Sequence, residues 1–217
     1  RRKSGHKAPP TPRTSGCTGF ARRFLFFCPP GPFPPTVRGM ASPESKPFRI
    51  STLVFLRDRA GRFLLLRRNR PPNRGKWSPV GGKLDMDRGE SPFECARRET
   101  REETGLAVED EDLHLFGYVS EKNYEGEKHW LMFLFHCRRP LDAVPPDIDE
   151  GAFGFFARDE VRTLPLPETD ERLGWSLFDE HAEGFAGLRA DCADPGKMAV
   201  TRETKPTVLP EPFFPGR

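Results

Sequence analysis

From Ser91 to Leu106 the chain reads SPFECARRETREETGL, a helix with both of its ends written into the residues. Ser91 can accept from the backbone N–H three residues on, Pro92 suits the first helical position, and Glu94 completes a reciprocal capping box. Gly105 supplies the stop. Between these limits Glu99, Glu102 and Glu103 stand at i, i+3 and i+4, so their carboxylates share an arc of roughly 100°. Phe93, Ala96 and Thr100 occupy the neighbouring arc and are expected to face the core, which puts the acidic arc beside the core rather than opposite it. Three carboxylates held this close repel one another unless a cation lies between them. Clustered hard oxygens suit Mg²⁺ or Mn²⁺. The other reading is a salt-bridged surface helix with Arg97, Arg98 and Arg101 as counter-charges.

The residues before the helix favour the metal. GGKLDMDRGE offers two glycines where the chain can approach a ligand closely, a backbone carbonyl that can turn toward a cation, and Lys83 for an anionic oxygen. A metal with a lysine points to phosphate, and to hydrolysis by positioning and electrostatics. Cys95, one turn before Glu99, is expected to leave room beside the metal rather than bind it, because a hard cation does not seek thiolate.

The rest of the chain sets the frame. FRISTLVFL, the turn RDRAG and RFLLLRR predict a β-hairpin, followed by the long Pro- and Gly-containing loop NRPPNRGKWSPVGGKLDMDRG. LHLFGYVS and HWLMFLFHC predict strands joined by a polar loop, EKNYEGEK, and GAFGFFA a further strand. RDEVRTL and ERLGWSLFDEHAEGFAGL predict helices, the second with Leu173, Leu177, Phe178 and Phe185 near one face. The organisation expected is a leader over residues 1–39, disordered or an over-extended start, with an Arg-rich transit peptide as the alternative, then one globular domain over 40–193, and a loose Pro-rich tail over 194–217.

Charge needs this division to be interpretable. The chain carries +3 overall, but residues 1–39 hold eight Lys or Arg and no acid, and removing them leaves −5 for the remainder. A basic nucleic-acid-binding surface is therefore not expected. The five cysteines, Cys17, Cys28, Cys95, Cys137 and Cys192, form no CxxC pair and suggest free thiols in a reducing compartment, hence a cytoplasmic location. No apolar run approaches membrane length.

The helix and its approach resemble the Nudix box, G-x5-E-x7-R-E-U-x-E-E-x-G-U, with U apolar. Glu90, seven residues, and then Arg98-Glu99-Thr100-Arg101-Glu102-Glu103-Thr104-Gly105-Leu106 follow it closely. Two departures stand out: seven residues rather than five separate Gly82 from Glu90, and Thr100 replaces the usual aliphatic residue. The resemblance, to the MutT-like branch, extends more weakly over about 49–188. It implies an α/β (α+β) fold, an α/β/α sandwich with a mixed β-sheet, and a hydrolase acting on a nucleoside diphosphate linked to another moiety. It also implies Mg²⁺, with Mn²⁺ as a substitute, held by Glu99, Glu102 and Glu103, with Gly81 giving its carbonyl, Arg98 orienting the helix carboxylates and Lys83 meeting phosphate. Glu150, in DIDEGAFGFF, matches a late acid that joins the metal site or acts as base, with Asp147 and Asp149 as competitors. The proton acceptor stays open among Glu99, Glu102 and Glu150.

For the substrate, KWSPVGGK is similar to the branch that takes nucleoside triphosphates, including oxidised purine nucleotides, yielding a monophosphate and pyrophosphate. Trp77 and Tyr124 are candidates to stack on a base, with loop anchoring as the alternative. Tyr124, 18 residues after Leu106, also resembles the spacing in dinucleoside polyphosphate hydrolases, and a nucleotide-sensing module without turnover is the rival from another class. A small-molecule nucleotide is the expected partner, without nucleic acid or membrane, and a homodimer stays open.

Overall fold

The computed structural model describes residues 46–205 apart from 72, 125, 127 and 195; the expected leader and the last twelve residues lie outside the described part. In chain order the elements are β1 (Phe48–Phe55), β2 (Phe63–Arg68), β3 (Trp77–Ser78), α1 (Pro92–Thr104), β4 (Leu113–Tyr124), β5 (Lys128–Cys137), β6 (Gly151–Phe156), α2 (Arg158–Val161), a π-helical turn (Asp170–Gly174) running into α3 (Trp175–His181), β7 (Ala186–Asp191) and β8 (Ala199–Arg202). Five strands form one sheet in the order β1-β5-β4-β7-β8, and three form a second in the order β3-β2-β6. The large sheet is mixed: β1 with β5 and β4 with β7 run parallel, the other neighbours antiparallel. The small sheet is antiparallel throughout.

Alternation along the strands builds two cores, because successive side chains of a strand point to opposite faces. Val54 and Phe135 go to one side with Ala96 of α1. Phe55 and Leu134 go to the other with Trp175, Leu177 and Phe178 of α3. The large sheet is thus packed between helices, as the fold-class expectation requires. Phe55 anchors the α3 side, stacked on Phe178 with ring centroids 5.1 Å apart and meeting Phe116 and Trp175 edge-on at 5.3 and 4.8 Å. Contacts of this geometry add about 0.5–1.5 kcal/mol each beyond area burial.

Three expectations need correction. The β1–β2 turn forms, with the Asp58 N–H donating to the Arg62 carbonyl at 2.9 Å and Gly61 at φ +81°, but the hairpin ends after one more ladder step, the Leu64 N–H on the Leu56 carbonyl at 3.0 Å. β1 leaves to pair with β5 and β2 with β3 and β6, because burying β1 on both faces outweighs extending a two-stranded ladder. The helix expected over 171–188 ends at His181, and Ala186–Asp191 instead forms β7 beside β4. The tail expected to be loose adds β8 to the edge of β7, where all four residues are exposed and leave no alternation to read. Among the described residues no helix is long and apolar enough to cross a membrane.

Candidate active site

The capped helix forms as its ends dictate. Ser91 Oγ accepts from the Glu94 N–H at 3.3 Å, Glu94 Oε2 accepts from the Ser91 N–H at 2.8 Å, and Gly105 closes the helix at φ +75° with its N–H on the Arg101 carbonyl. Cys95, Ala96, Thr100 and Glu103 are its buried residues. The acidic arc does lie beside the core, and Glu103 is inside it, only 8% exposed.

Arg98 organises this arc. Its Nε and Nη2 grip Glu90 in a fork at 2.7 and 2.9 Å, its Nη1 reaches Glu99 at 2.6 Å and Glu102 at 3.0 Å, and Nη2 also donates to the Lys83 carbonyl at 3.0 Å. The guanidinium therefore ties the helix to the glycine loop. Its own pKa rises, chiefly through Glu90, while Glu90 is held below the usual carboxylate range by the same fork. Glu90 Oε2 also accepts from the Asp85 N–H at 2.7 Å, and the Gly89 N–H closes a turn on the Met86 carbonyl. The loop before the helix thus turns at Asp85–Glu90 and still delivers Glu90 to Arg98.

The glycine pair sits against β1. The Thr52 N–H donates to the Gly82 carbonyl at 2.9 Å and the Val54 N–H to the Val80 carbonyl at 2.7 Å. A Cβ at Gly81, whose φ is +148°, would overlap the Thr52 carbonyl oxygen, and one at Gly82 would overlap the Glu99 carboxylate. Only glycine at 81 fits both the backbone angle and the space.

A cavity of about 350 Å³ opens here, lined by Gly81, Gly82, Lys83, Glu99, Glu103 and Glu150 together with residues of β1, β4 and β5. Of the three late acids, Glu150 lines it, with Arg68 Nη2 3.8 Å from its carboxylate; the Asp147 carboxylate accepts from the Phe153 N–H and Asp149 lies 3.9 Å from Arg70. Lys83 Nζ stands 5.9 Å over the Trp130 ring. Tyr124 lines the cavity as well. Trp77 is not among the lining residues: its ring packs edge-on against Phe156 at 4.7 Å, and its backbone N–H donates to the Pro165 carbonyl. Glu102 also lies off the lining, 60% exposed in its pair with Arg98.

Electrostatically the acids are strained. Burial pushes Glu103 up to about 8, with the charges of Glu99 and Glu150 adding, and its Oε2 is buried without a hydrogen-bond partner. Glu99 is also raised, by burial that outweighs Arg98. An orphaned carboxylate oxygen among mutually repelling acids fits a hard dication. As the side chains stand, however, no three His, Cys, Asp or Glu groups among the described residues converge on a metal-holding point. The physical reason is Arg98, which draws Glu99 and Glu102 into ion pairs.

Several lining residues escaped the sequence reading. Trp130 forms a wall under Lys83, while Arg68 comes from the end of β2, Asn73 from the loop after it, Glu121 from β4, Met132 from β5 and Asp170 from the π-helical turn. Glu121 could have been found only by recognising that EKNY continues β4 instead of starting a loop, with Glu121 in phase with the buried Val119.

Comparison with known proteins agrees with this geometry. Residues 47–176 match the NUDIX domain. YvcI of Bacillus subtilis (strain 168), an uncharacterized Nudix hydrolase, is 28% identical over 126 residues, covering 58% of this chain and 75% of that protein. The oxidized purine nucleoside triphosphate hydrolase of Danio rerio is 31% identical over 153 residues, covering 61% of this chain and 88% of that one. Among solved structures, a MutT protein from Bacillus halodurans matches with a TM-score of 0.57 at 25% identity, covering 71% of this chain and 97% of that one. A MutT protein from Methanosarcina mazei Go1 matches at 0.53 and 30%, covering 64% and 98%. Proteins of this family act on small-molecule nucleotides and generally use a divalent metal. Helix, glycine loop and sequence match agree, and the chain is a MutT-like member of the Nudix hydrolase family.

Proposed function

We propose that this chain hydrolyses a nucleoside triphosphate, including oxidised purine nucleotides, to a nucleoside monophosphate and pyrophosphate, with Mg²⁺ as the native cofactor and Mn²⁺ as a substitute. The observation that carries the reading is the meeting of Glu99, Glu103 and Glu150 with Gly81, Gly82 and Lys83 around one cavity. The similarity to a Danio rerio protein named for oxidised purine nucleoside triphosphates supports the substrate class.

Glu99, Glu102 and Glu103 would hold the ion, with the Gly81 carbonyl and Glu150 as further oxygen donors. A bound Mg²⁺ supplies neutralisation of polyphosphate charge and polarisation of a water at neutral pH. Arg98 holds the helix carboxylates in place through donors fixed in a plane. Lys83 meets an anionic phosphate oxygen, and Tyr124 and Trp130 border the space for the nucleoside. Proton removal from the attacking water falls to one of Glu99, Glu102 or Glu150. Trp77 has a scaffold role in this reading, supporting the small sheet through Phe156.

The test is a panel of nucleoside triphosphates, their oxidised purine forms, ADP-ribose and dinucleoside polyphosphates, incubated with Mg²⁺ and resolved by chromatography. Monophosphate and pyrophosphate from triphosphates is the expected result. Cleavage restricted to dinucleoside polyphosphates would move the assignment to that class. Tight binding of nucleotides with no cleavage of any would replace the enzyme by a sensor.

A further inference from the structure

Lys83 is fixed by its backbone and left to move by its side chain. Ser51 and Lys83 face each other in an antiparallel bridge, the Leu84 N–H donates to the Ile50 carbonyl at 3.1 Å, and the Lys83 carbonyl accepts from Arg98 Nη2 at 3.0 Å. The side chain itself is exposed. Five acids line the same cavity, Glu99, Glu103, Glu121, Glu150 and Asp170, yet among the described residues none of them pairs with the Lys83 ammonium. It rests instead on an aromatic ring, with Nζ 5.9 Å from the Trp130 centroid.

Trp130 is held more firmly than its partner. It sits in β5 between Arg49 of β1 and Glu121 of β4, and strand alternation places it on the face of Met132, which also lines the cavity. Because Lys83 and Trp130 border one space, the ammonium covers the indole from the cavity side. The electron-rich face of an indole attracts either a cation or a flat heterocycle, and only one of them fits against it at a time. A phosphate oxygen is the stronger partner for the ammonium, since it offers a charge-assisted hydrogen bond where the ring offers only its quadrupole.

We infer that Lys83 and Trp130 form a specificity-determining pair that makes the stacking of a nucleoside ring on Trp130 conditional on a bound polyphosphate. The inference rests on the nucleotide reading of the site. Without phosphate the ammonium occupies the indole face, and a ring that enters alone has to displace it. A polyphosphate draws the ammonium away and bares the indole for the heterocycle. The two halves of the ligand therefore help one another to bind, and the pair rejects nucleosides that carry no phosphate. The size of the effect is that of one exposed cation–π contact, about two- to fivefold in affinity.

Isothermal titration of the full chain with adenosine and guanosine, in excess Mg²⁺ and with or without saturating inorganic tripolyphosphate, tests this without turnover. Tripolyphosphate is expected to tighten nucleoside binding by about two- to fivefold, and by reciprocity the nucleoside tightens tripolyphosphate binding by the same factor. Lys83→Met, shown folded by its thermal transition, is expected to bind nucleosides about two- to fivefold more tightly than the wild-type chain, to bind tripolyphosphate more weakly, and to lose the coupling. A lysine that only attracts phosphate would leave nucleoside affinity unchanged. Tripolyphosphate alone should also change the tryptophan emission of the wild-type chain, and leave that of Lys83→Met and Trp130→Phe unchanged. Nucleoside binding that is indifferent to tripolyphosphate, or no gain in nucleoside affinity in folded Lys83→Met, overturns the inference. If the coupling exists but no triphosphate is cleaved, the inference stands while the hydrolytic reading falls. Cleavage without coupling has the opposite meaning, and failure of both probes to bind removes the nucleotide reading and the inference with it.

Discussion

At the scale of single residues, Arg98 explains why the acid arc is neither a plain surface helix nor a finished metal cage. Its five N–H groups reach Glu90, Glu99, Glu102 and the Lys83 carbonyl together, a task that needs a planar fork. Lysine would keep the charge and lose the fork. Arg98→Lys is therefore expected to weaken apparent Mg²⁺ affinity by about 10–100-fold, the usual cost of disturbing a group that orients metal ligands. Activity at saturating Mg²⁺ should fall less. A Mg²⁺ titration of initial rates checks this, and equal loss at every Mg²⁺ concentration would show that Arg98 acts elsewhere. Removing the cation is more severe. Arg98→Ala leaves Glu90, whose side chain is 9% exposed, without its partner, at a cost of about 3–5 kcal/mol. For Glu102→Gln, which retains shape and the possibility of a bond to Arg98, the expectation is a fall in kcat of about 10²–10⁴-fold with the fold intact. Wild-type turnover in that variant would remove Glu102 from both the metal and proton roles.

At the scale of elements, what could be read in advance was what is encoded locally. The α1 boundaries follow from Ser91, Pro92, Glu94 and Gly105, all within hydrogen-bond range along the chain, and Ser91→Ala is expected to cost about 0.5–2 kcal/mol. That loss corresponds to a fall of about 1–8 °C in a thermal melt for a domain of this size. The turn at Asp58–Gly61 was equally legible. Which sheet β1 and β2 join was not, because Phe48–Phe55 pairs with residues some eighty positions later and no local pattern marks that choice. The same limit hid β7, whose Ala186, Leu188 and Ala190 fit a helix stripe nearly as well as a strand face once Gly187 is ignored. A Cβ at Gly187 would overlap the Tyr118 ring, so its glycine marks the strand's close approach to β4. The helical part of the site was visible for the reason α1 was. Glu121 and Asp170 were not, since a buried acid on a strand and another in a π-turn look like solvated polar residues until long-range packing removes the water.

At the scale of the whole molecule, these buried acids impose a pH dependence opposite to the common one. Burial raises Glu103 to about 8 and Glu121 and Asp170 to about 7, and also raises Glu99. Between the ordinary carboxylate range and pH 8 the folded chain therefore holds protons that the unfolded chain has released. Stability falls as pH rises wherever the native state binds more protons. The contribution of these groups is fully present below pH 4 and is lost as pH passes through about 7 to 8. Asp58, Glu90 and Glu183 are shifted the other way by Arg62, Arg98 and Arg138, so their contribution is lost only as pH drops below the ordinary carboxylate range. In EDTA the melting temperature is expected to peak at mildly acidic pH and to fall by roughly 4–8 °C by pH 8.5, the change that about 2 kcal/mol produces in a domain of this size. Mg²⁺ favours the deprotonated carboxylates, so its addition should recover much of that loss at pH 8.5 and do little at pH 5. Glu103→Gln should flatten the EDTA curve and blunt the Mg²⁺ response together, because one side chain supplies both. Thermal scans across pH 4–9, with EDTA or with Mg²⁺, separate these outcomes. A melting temperature that climbs steadily to pH 8.5 in EDTA would mean that the buried acids are paired in solution by groups other than a metal or ligand.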